Sequence, residues 1–138
     1  MAGYSGTPLP KKLGIKQGSA VSLVAPPPGF GETELVELPS SATFLPAAAS
    51  DLDVIVLFIE SMADLQAQFG AQARRLRPSG GLWVAWPKKA SGRPTDLNEN
   101  LIRDVGLAAG LVDNKVCAIN DTWSGLRFVY RLADRPRI

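Results

Sequence analysis

The sequence predicts an α/β protein with three layers, in which helices cover both faces of a mostly parallel β-sheet. Three observations point to this fold. Strand patterns alternate with helical patterns along most of the chain, which is typical of right-handed βαβ units. Residues 53–59 (DVIVLFI) form an unbroken β-branched and aromatic run, as expected for a central strand buried on both faces. Two further strand patterns near the carboxyl terminus lie close enough for an antiparallel hairpin.

The amino-terminal part of the chain predicts an arm, a strand, a short helix and a weak second strand. Residues 1–19 are rich in Gly, Pro and Lys, so we expect at most one helical turn there. A buried strand over 20–25 stops at Pro26, because proline cannot donate to a sheet ladder. We expect a short helix over about 32–38 and a weak strand near 43–45.

The middle of the chain contains the helix with the clearest signals. Ser61 and Asp64 have the spacing of a capping box, and apolar residues follow at helical intervals. This apolar face consists of Met62, Leu65, Phe69, Ala73 and Leu76. Pro78 and the glycine pair after it are expected to end the helix and begin a strand over 82–86.

A second helix and the final hairpin are predicted after a polar loop. Thr95 or Asp96 can cap the helix, and Gly110 can follow its end as a C′ residue. Its apolar face would consist of Leu97, Leu101, Val105 and Ala108. The hairpin strands are expected over about 112–119 and 126–132.

Composition restricts the chemistry available to the chain. Its length of 138 residues suits one domain, which we expect over residues 1–138. The absence of histidine excludes Ser-His-Asp and Cys-His nucleophilic sites, and the carboxylates show no clustered spacing, so no metal site is predicted. A net charge of +2, from 15 basic and 13 acidic residues, does not indicate a nucleic-acid partner.

The expected location is the cytoplasm. The chain has a lone cysteine, Cys117, which cannot form an internal disulfide. No apolar run approaches the ~20 residues of a membrane span, and no secretory pattern begins the sequence.

The best candidate for a functional rim is the exit from the strand over 82–86. Pro87 ends the strand, and Lys88 and Lys89 follow at once, with Ser91 in the polar loop behind them. Ligands of open α/β sheets bind outside the carboxyl ends of strands, so these groups could clamp a phosphate or carboxylate. Alternatively, the lysines only solvate the strand exit.

Three more residues complete this candidate ligand site. Trp86 could stack on a flat ligand, with core packing as the alternative. Glu60 ends the middle strand at the same rim and could form an ion pair with Lys88 or Lys89. Gly29 lies in the loop after the first strand.

A second polar and aromatic cluster lies in the hairpin. It consists of Lys115, Asp121, Trp123 and Arg127. Such a group can be catalytic, but Asn120-Asp121 and Ser124-Gly125 are also ordinary turn sequences, and we favour a structural role.

Two families resemble this chain. Residues 13–18 (LGIKQG), 52–56 (LDVIV, with a leading aspartate) and 76–84 (LRPSGGLWV) are similar to passages of class I S-adenosylmethionine-dependent methyltransferases, which implies a Rossmann-like fold with methyltransferase-like topology. Residues 3–9, 81–89 and 110–118, the last extended by 121–128, resemble the bacterial domain-of-unknown-function family 3052. This resemblance implies a small cytoplasmic Rossmann-like protein without a known activity.

The sequence departs from the methyltransferase pattern in the loop after the first strand. That family has a glycine-rich loop there whose backbone amides approach the cofactor, whereas residues 25–31 (APPPGFG) include three prolines without N–H donors. No acidic residue ends the first or second strand. We therefore expect no cofactor, S-adenosylmethionine included.

The leading functional hypothesis is a non-catalytic or regulatory module that binds a protein partner or a small anionic ligand. The alternative is a degenerate S-adenosylmethionine-dependent methyltransferase-like enzyme. A weaker third hypothesis is nucleic-acid association through the basic tail, and exposed edge strands leave self-association open.

Overall fold

One six-stranded sheet organises the computed structural model, which describes residues 7–32, 34–46 and 48–131. The strands are β1 (Ala20–Val24), β2 (Thr43–Phe44), β3 (Leu52–Phe58), β4 (Leu76–Pro87), β5 (Leu111–Ala118) and β6 (Trp123–Tyr130). The helices are α1 (Leu9–Lys12), α2 (Met62–Ala73) and α3 (Glu99–Ala108), with a 3₁₀ turn at Lys89–Ser91. Residues 1–6 of the predicted arm lie outside the described part.

The strand order is β2-β1-β3-β4-β6-β5. Strands β1 to β4 are parallel to one another, and β6 runs antiparallel between β4 and β5. The carboxyl ends of β1, β3 and β4 therefore share one edge of the sheet with the beginning of β6; we call this the carboxyl edge. The order confirms the predicted α/β fold with its methyltransferase-like topology and antiparallel hairpin.

One face of the sheet, the helical face, packs against α2 and α3. Leu65 and Phe69 of α2 and Ile102 of α3 are almost completely buried there. The Phe69 ring meets the Phe128 ring edge to face at 5.1 Å. Gly106 lets α3 approach this pair, because a Cβ at this position would collide with the Phe128 ring. The two helices thus bury the central apolar residues of this face.

The opposite face, the loop face, is covered by α1 and by irregular chain. Trp83 is fully buried on this face and donates its indole N–H to the Leu13 carbonyl at 3.0 Å. Trp86 is buried on the helical face, so the two tryptophans point to opposite sides of β4 as their spacing predicts. Leu35 is a further apolar anchor from the segment between β1 and β2.

The predicted helix over 32–38 is wrong, because the described residues of this segment form only turns. The chain just before this segment is left-handed at Gly29 and Gly31, with φ values of +79° and +98°. Leu35 is buried, but Val36 and Leu38 are 66% and 38% exposed. The segment therefore has no apolar face that a helix could bury.

Arg75 fixes the connection between β2 and β3. Its guanidinium donates to the carbonyls of Ala49 and Pro46 at 2.8 and 2.9 Å and to the Ser22 hydroxyl at 3.0 Å. Burial lowers the pKa of Arg75 from its usual range. The Arg75 side chain thus holds the connection between β2 and β3 in place. The described residues of this connection form no helix.

The predicted start of β4 at residue 82 is also wrong. The strand begins at Leu76, which pairs with Leu52 of β3. Leu76 therefore belongs to the sheet and not to the apolar face predicted for the preceding helix. The register shifts between Leu52 and Val54, and Gly80 permits the close approach, since a Cβ there would lie 2.6 Å from the Leu52 carbonyl oxygen. This irregularity allows the strand to include Pro78.

The helix caps follow the predictions in part. Ser61 caps α2 by accepting from the Asp64 N–H at 3.2 Å, and Gly110 follows α3 with φ +93°, both as expected. Asn98, rather than Thr95 or Asp96, caps α3. The buried face of α3 accordingly shifts to Ile102 and Gly106, while Leu101 is 36% exposed. Among the residues described, no helix is long and apolar enough to cross a membrane.

Candidate functional site

The loop after β1 turns sharply at the carboxyl edge. Ala25 has φ +55°, a left-handed conformation that is uncommon outside glycine. Gly29 is exposed in the same loop. The Phe30 N–H donates to the Pro27 carbonyl at 3.1 Å, and the Gly31 N–H donates to Glu34 Oε1 at 2.9 Å. The loop therefore uses these backbone donors internally.

An aromatic row lies under this loop on the loop face. The rings of Phe30 and Phe58 meet at 4.8 Å, and those of Phe58 and Trp123 at 5.1 Å, both edge to face. Glu34 Oε2 accepts from Asn120 Nδ2 at 2.9 Å and so joins the β1 loop to the turn before β6. These contacts connect the exits of β1 and β3 to the start of β6.

Glu60, which follows β3, forms an ion pair with Arg93. Arg93 Nη2 and Nε donate to Glu60 Oε1 at 2.7 and 3.2 Å. The partner expected from sequence was Lys88 or Lys89. The guanidinium carbon of Arg93 also lies 5.3 Å from the centroid of Trp123, within the range of a cation–π contact.

The loop over residues 88–98, which we call the 88–98 loop, is fastened at both ends. Lys88 N–H donates to the Thr122 carbonyl at 2.7 Å. Thr95 Oγ1 donates to the Glu60 carbonyl at 2.7 Å, and Asp96 Oδ1 accepts from the Met62 N–H at 2.8 Å. Asp96 therefore caps α2 from a distance, although the sequence predicted a cap for α3.

The other predicted rim residues have different environments. Ser91 bonds within the loop, donating to the Lys88 carbonyl at 2.6 Å and accepting from the Arg93 N–H at 3.2 Å. Lys88 is half-exposed and Lys89 exposed, and neither ammonium forms an ion pair with another described residue. Trp86 is 8% exposed in the helical-face core, which agrees with the core-packing alternative.

The second predicted cluster is divided between two places. Lys115 pairs with Arg127 in the sheet register, and Lys115 Nζ donates to the Lys12 carbonyl at 3.2 Å. Arg127 lies against Gly81, about 13 Å along β6 from Trp123 at ~3.4 Å per residue. Asp121 is exposed in the turn. These residues therefore do not form one site.

Asp53, the leading aspartate of the passage that resembles methyltransferases, lies at the amino edge of the sheet, opposite the carboxyl edge. Asp53 Oδ2 accepts from the Ala20 N–H at 2.8 Å, and Asp53 Oδ1 forms an ion pair with Arg77 at 3.1 Å. This carboxylate holds the beginnings of β1, β3 and β4 together. Within the part of the chain described, no group of three or more Cys, Asp or Glu residues is placed to hold a metal ion.

The fold is that of class I S-adenosylmethionine-dependent methyltransferases. A Sulfolobus solfataricus protein assigned as a type 11 methyltransferase matches with a TM-score of 0.63 at 16% identity, covering 94% of this chain and 93% of that chain. Magnesium protoporphyrin IX methyltransferase of Synechocystis, with S-adenosylmethionine bound, matches with a TM-score of 0.58 at 10% identity, covering 89% and 74%.

A third similar structure is the Burkholderia thailandensis 1,6-didemethyltoxoflavin-N1-methyltransferase with S-adenosylhomocysteine bound. Its TM-score is 0.58 at 11% identity, and the match covers 87% of this chain and 73% of that one. No protein-family model and no curated protein matches the sequence. The resemblance to family 3052 therefore stays a prediction.

The expectation that the chain takes no cofactor, S-adenosylmethionine in particular, is contradicted by these similarities. The three structures named are those of methyltransferases, and two of them hold S-adenosylmethionine or its product. The expectation rested on the prolines of the loop after β1 and on the lack of an acidic residue at the ends of the first and second strands. The strand order, which brings several strand exits to one edge, is a property of the whole sheet that this loop does not change.

Proposed function

We propose that this chain is a degenerate methyltransferase-like protein that binds S-adenosylmethionine at the carboxyl edge. The observation that carries the proposal is the strand order. The chain places β2 on one side of β1 and β3 on the other, so a topological switch point lies between β1 and β3. Ligands of open α/β sheets bind outside the carboxyl ends of strands at such a point.

Backbone strain at this point supports the proposal. Three described residues other than glycine have positive φ, namely Ala25, Ser41 and Asp51. Ser41 and Asp51 lie in turns that lead into strands, whereas Ala25 lies directly after β1 at the switch point. Strained backbone is often retained where a ligand is bound.

The charged side chains at this edge fit the amino-acid end of S-adenosylmethionine. That end carries a carboxylate, an ammonium and a positively charged sulfonium. Lys88 and Lys89 would hold the carboxylate, and Glu60 would hold a cationic group. Phe30, which is partly exposed over Phe58, offers an aromatic surface for the adenine ring.

The fit to the adenosine end is weaker. Leu45 and Pro46 follow β2 and provide no carboxylate for the ribose hydroxyls, and the donors of Phe30 and Gly31 are bonded within their loop. We therefore expect a dissociation constant of about 0.1–1 mM, which corresponds to roughly −4 to −5.5 kcal/mol.

The bound cofactor would supply an electrophilic methyl group. The chain itself would contribute orientation and charge: Lys88 and Lys89 would fix an anion, and Glu60, once free of Arg93, would hold the cationic centre.

Calorimetry on the full chain tests the proposal. Titration with S-adenosylmethionine and S-adenosylhomocysteine should give saturable binding that weakens about tenfold in the Lys88→Ala/Lys89→Ala double variant, a loss of roughly 1.4 kcal/mol. Lys11→Ala/Lys16→Ala, which removes two exposed lysines from the amino-terminal segment, is the matched control. Absence of binding by either compound at millimolar concentration would overturn the proposal.

A further inference from the structure

We propose that the Glu60 carboxylate and the face of Trp123 form a binding site for an organic cation, which the chain's own Arg93 now fills. The guanidinium sits between the two groups, 2.7 Å from Glu60 Oε1 and 5.3 Å from the indole centroid. A carboxylate beside an aromatic face is a combination that attracts cations.

The Trp123 ring and the Glu60 backbone are held in place by contacts that do not involve Arg93. Trp123 is 3% exposed and packs edge to face on Phe58. The Glu60 backbone is fixed by Thr95 Oγ1, which donates to its carbonyl at 2.7 Å. Removal of the guanidinium would therefore leave the ring and the Glu60 backbone in place, with the Glu60 carboxylate open to another cation.

Arg93 itself is weakly held. The side chains of Arg93 and Glu60 are 43% and 50% exposed, and exposed ion pairs of this kind contribute little to stability. Arg93 follows Gly92, which has a φ of +75° and is surrounded by open space, since a Cβ there would meet nothing within 4 Å. The loop is fastened at Lys88 and Thr95 on either side, so the Arg93 side chain can leave while both attachments stay.

The chemical class of the ligand follows from the charges around the site. Glu60 and Trp123 select a sulfonium, a methylated ammonium or a guanidinium. Lys88 and Lys89 follow the neighbouring strand β4 and favour a carboxylate on the same molecule. Resting on the proposed function, we assign the site to the sulfonium of S-adenosylmethionine, which the neutral thioether of S-adenosylhomocysteine lacks.

The test uses Arg93→Ala with tetramethylammonium chloride as the probe for the site alone. Binding is followed by tryptophan fluorescence and calorimetry, with sodium chloride matched in ionic strength. We expect tetramethylammonium to bind Arg93→Ala about twofold more tightly than the unaltered chain, as when a competing contact of about 0.5 kcal/mol is removed. Glu60→Gln in the Arg93→Ala background should abolish this gain.

Arg77→Ala is the matched control, because it removes another exposed arginine from a carboxylate at the opposite edge of the sheet. It should leave tetramethylammonium binding unchanged. Arg93→Gln, which keeps most of the side-chain stem, provides the same measurement should Arg93→Ala fail to fold. Equal affinity of the arginine-free variants and the unaltered chain for tetramethylammonium would overturn the proposal.

The two cofactor forms separate this proposal from the proposed function. In Arg93→Ala, preference for S-adenosylmethionine over S-adenosylhomocysteine should rise about twofold. A gain for tetramethylammonium without any binding of S-adenosylmethionine would support the cation site and reject the cofactor. Binding of both cofactor forms with an unchanged ratio would reject the assignment of the site to the sulfonium and leave the cofactor in place.

Discussion

Two carboxylate–arginine pairs lie at opposite ends of β3, and they serve different purposes. Asp53 pairs with Arg77 at the amino edge, and Glu60 pairs with Arg93 at the carboxyl edge. The two arginines are similarly exposed, at 48% and 43%. Asp53 also accepts from the Ala20 backbone N–H, whereas the Glu60 side chain bonds only to Arg93 among the described residues.

The difference shows how similar pairs can be distinguished. A carboxylate that satisfies a backbone donor belongs to the scaffold, because its loss leaves that donor without its partner. A carboxylate held only by an exposed side chain is available for exchange with another cation. Exposure alone would not separate the two pairs.

Substitution of the carboxylates should give the largest effect. We expect Asp53→Ala to lower the free energy of unfolding by about 2 kcal/mol, since the Ala20 N–H loses its acceptor. Glu60→Ala should cost no more than about 0.5 kcal/mol. Urea denaturation of both variants measures the difference, and equal losses would contradict the distinction drawn between the edges.

Substitution of the arginines should give a smaller effect. Arg77→Ala leaves the bond between Asp53 and Ala20 in place, so we expect a loss of about 0.5–1 kcal/mol. Arg93→Ala should change stability by less than about 0.5 kcal/mol. Should Arg77→Ala prove as costly as Asp53→Ala, the ion pair rather than the backbone bond would hold the amino edge.

High salt should further separate the stability costs of Asp53→Ala and Glu60→Ala. Raising sodium chloride from 0.1 to 1 M shortens the screening length from about 10 to 3 Å, so the small cost of Glu60→Ala should disappear. Most of the cost of Asp53→Ala should persist, because a short bond to a backbone N–H is less sensitive to screening. Urea denaturation at both salt concentrations provides the measurement.

Raising the pH should have the smallest effect on the free energy of unfolding. The effect comes from Cys117, which lies in the half of the hairpin near the carboxyl edge. Burial raises the pKa of the Cys117 thiol above its ordinary value of 9.0, although Lys12, Lys115 and Lys88 oppose the shift. The unfolded chain therefore loses this proton first, and stability falls as pH rises above about 9.

Cys117→Ala should remove part of this alkaline loss, on the order of a few tenths of a kcal/mol for a partly screened thiol. Tyr130, whose pKa burial also raises above 10.0, accounts for a further part and makes Tyr130→Phe the companion variant. Urea denaturation between pH 7 and 10.5 checks both. A steeper loss in Cys117→Ala would contradict the assignment.

Local patterns predicted most of the sheet. The unbroken run of β3 and the Ser61 cap of α2 depend on neighbours in sequence, and the structure has both. The helix over 32–38 failed because, of its described apolar residues, Leu35 is buried whereas Val36 and Leu38 stay exposed, so no apolar face is covered. Propensity describes what a segment can form, and burial decides what it does form.

Less of the candidate site could be predicted from the sequence. Glu60 and the lysines follow strands, so their shared edge could be predicted from topology. Arg93 could not, because its contacts with Glu60 and Trp123 span about thirty residues and depend on how the 88–98 loop folds back. A cation between glycine and proline in a polar loop gives no local signal of its partners.

The bond from Asp96 to the Met62 N–H makes one backbone amide a natural reporter of the 88–98 loop. Amide hydrogens exchange with deuterium when their bonds open. A loop that swings away as a whole would expose the first amide of α2 to exchange. Release of the Arg93 side chain alone would leave this amide protected, so its exchange rate distinguishes a turning side chain from a moving loop.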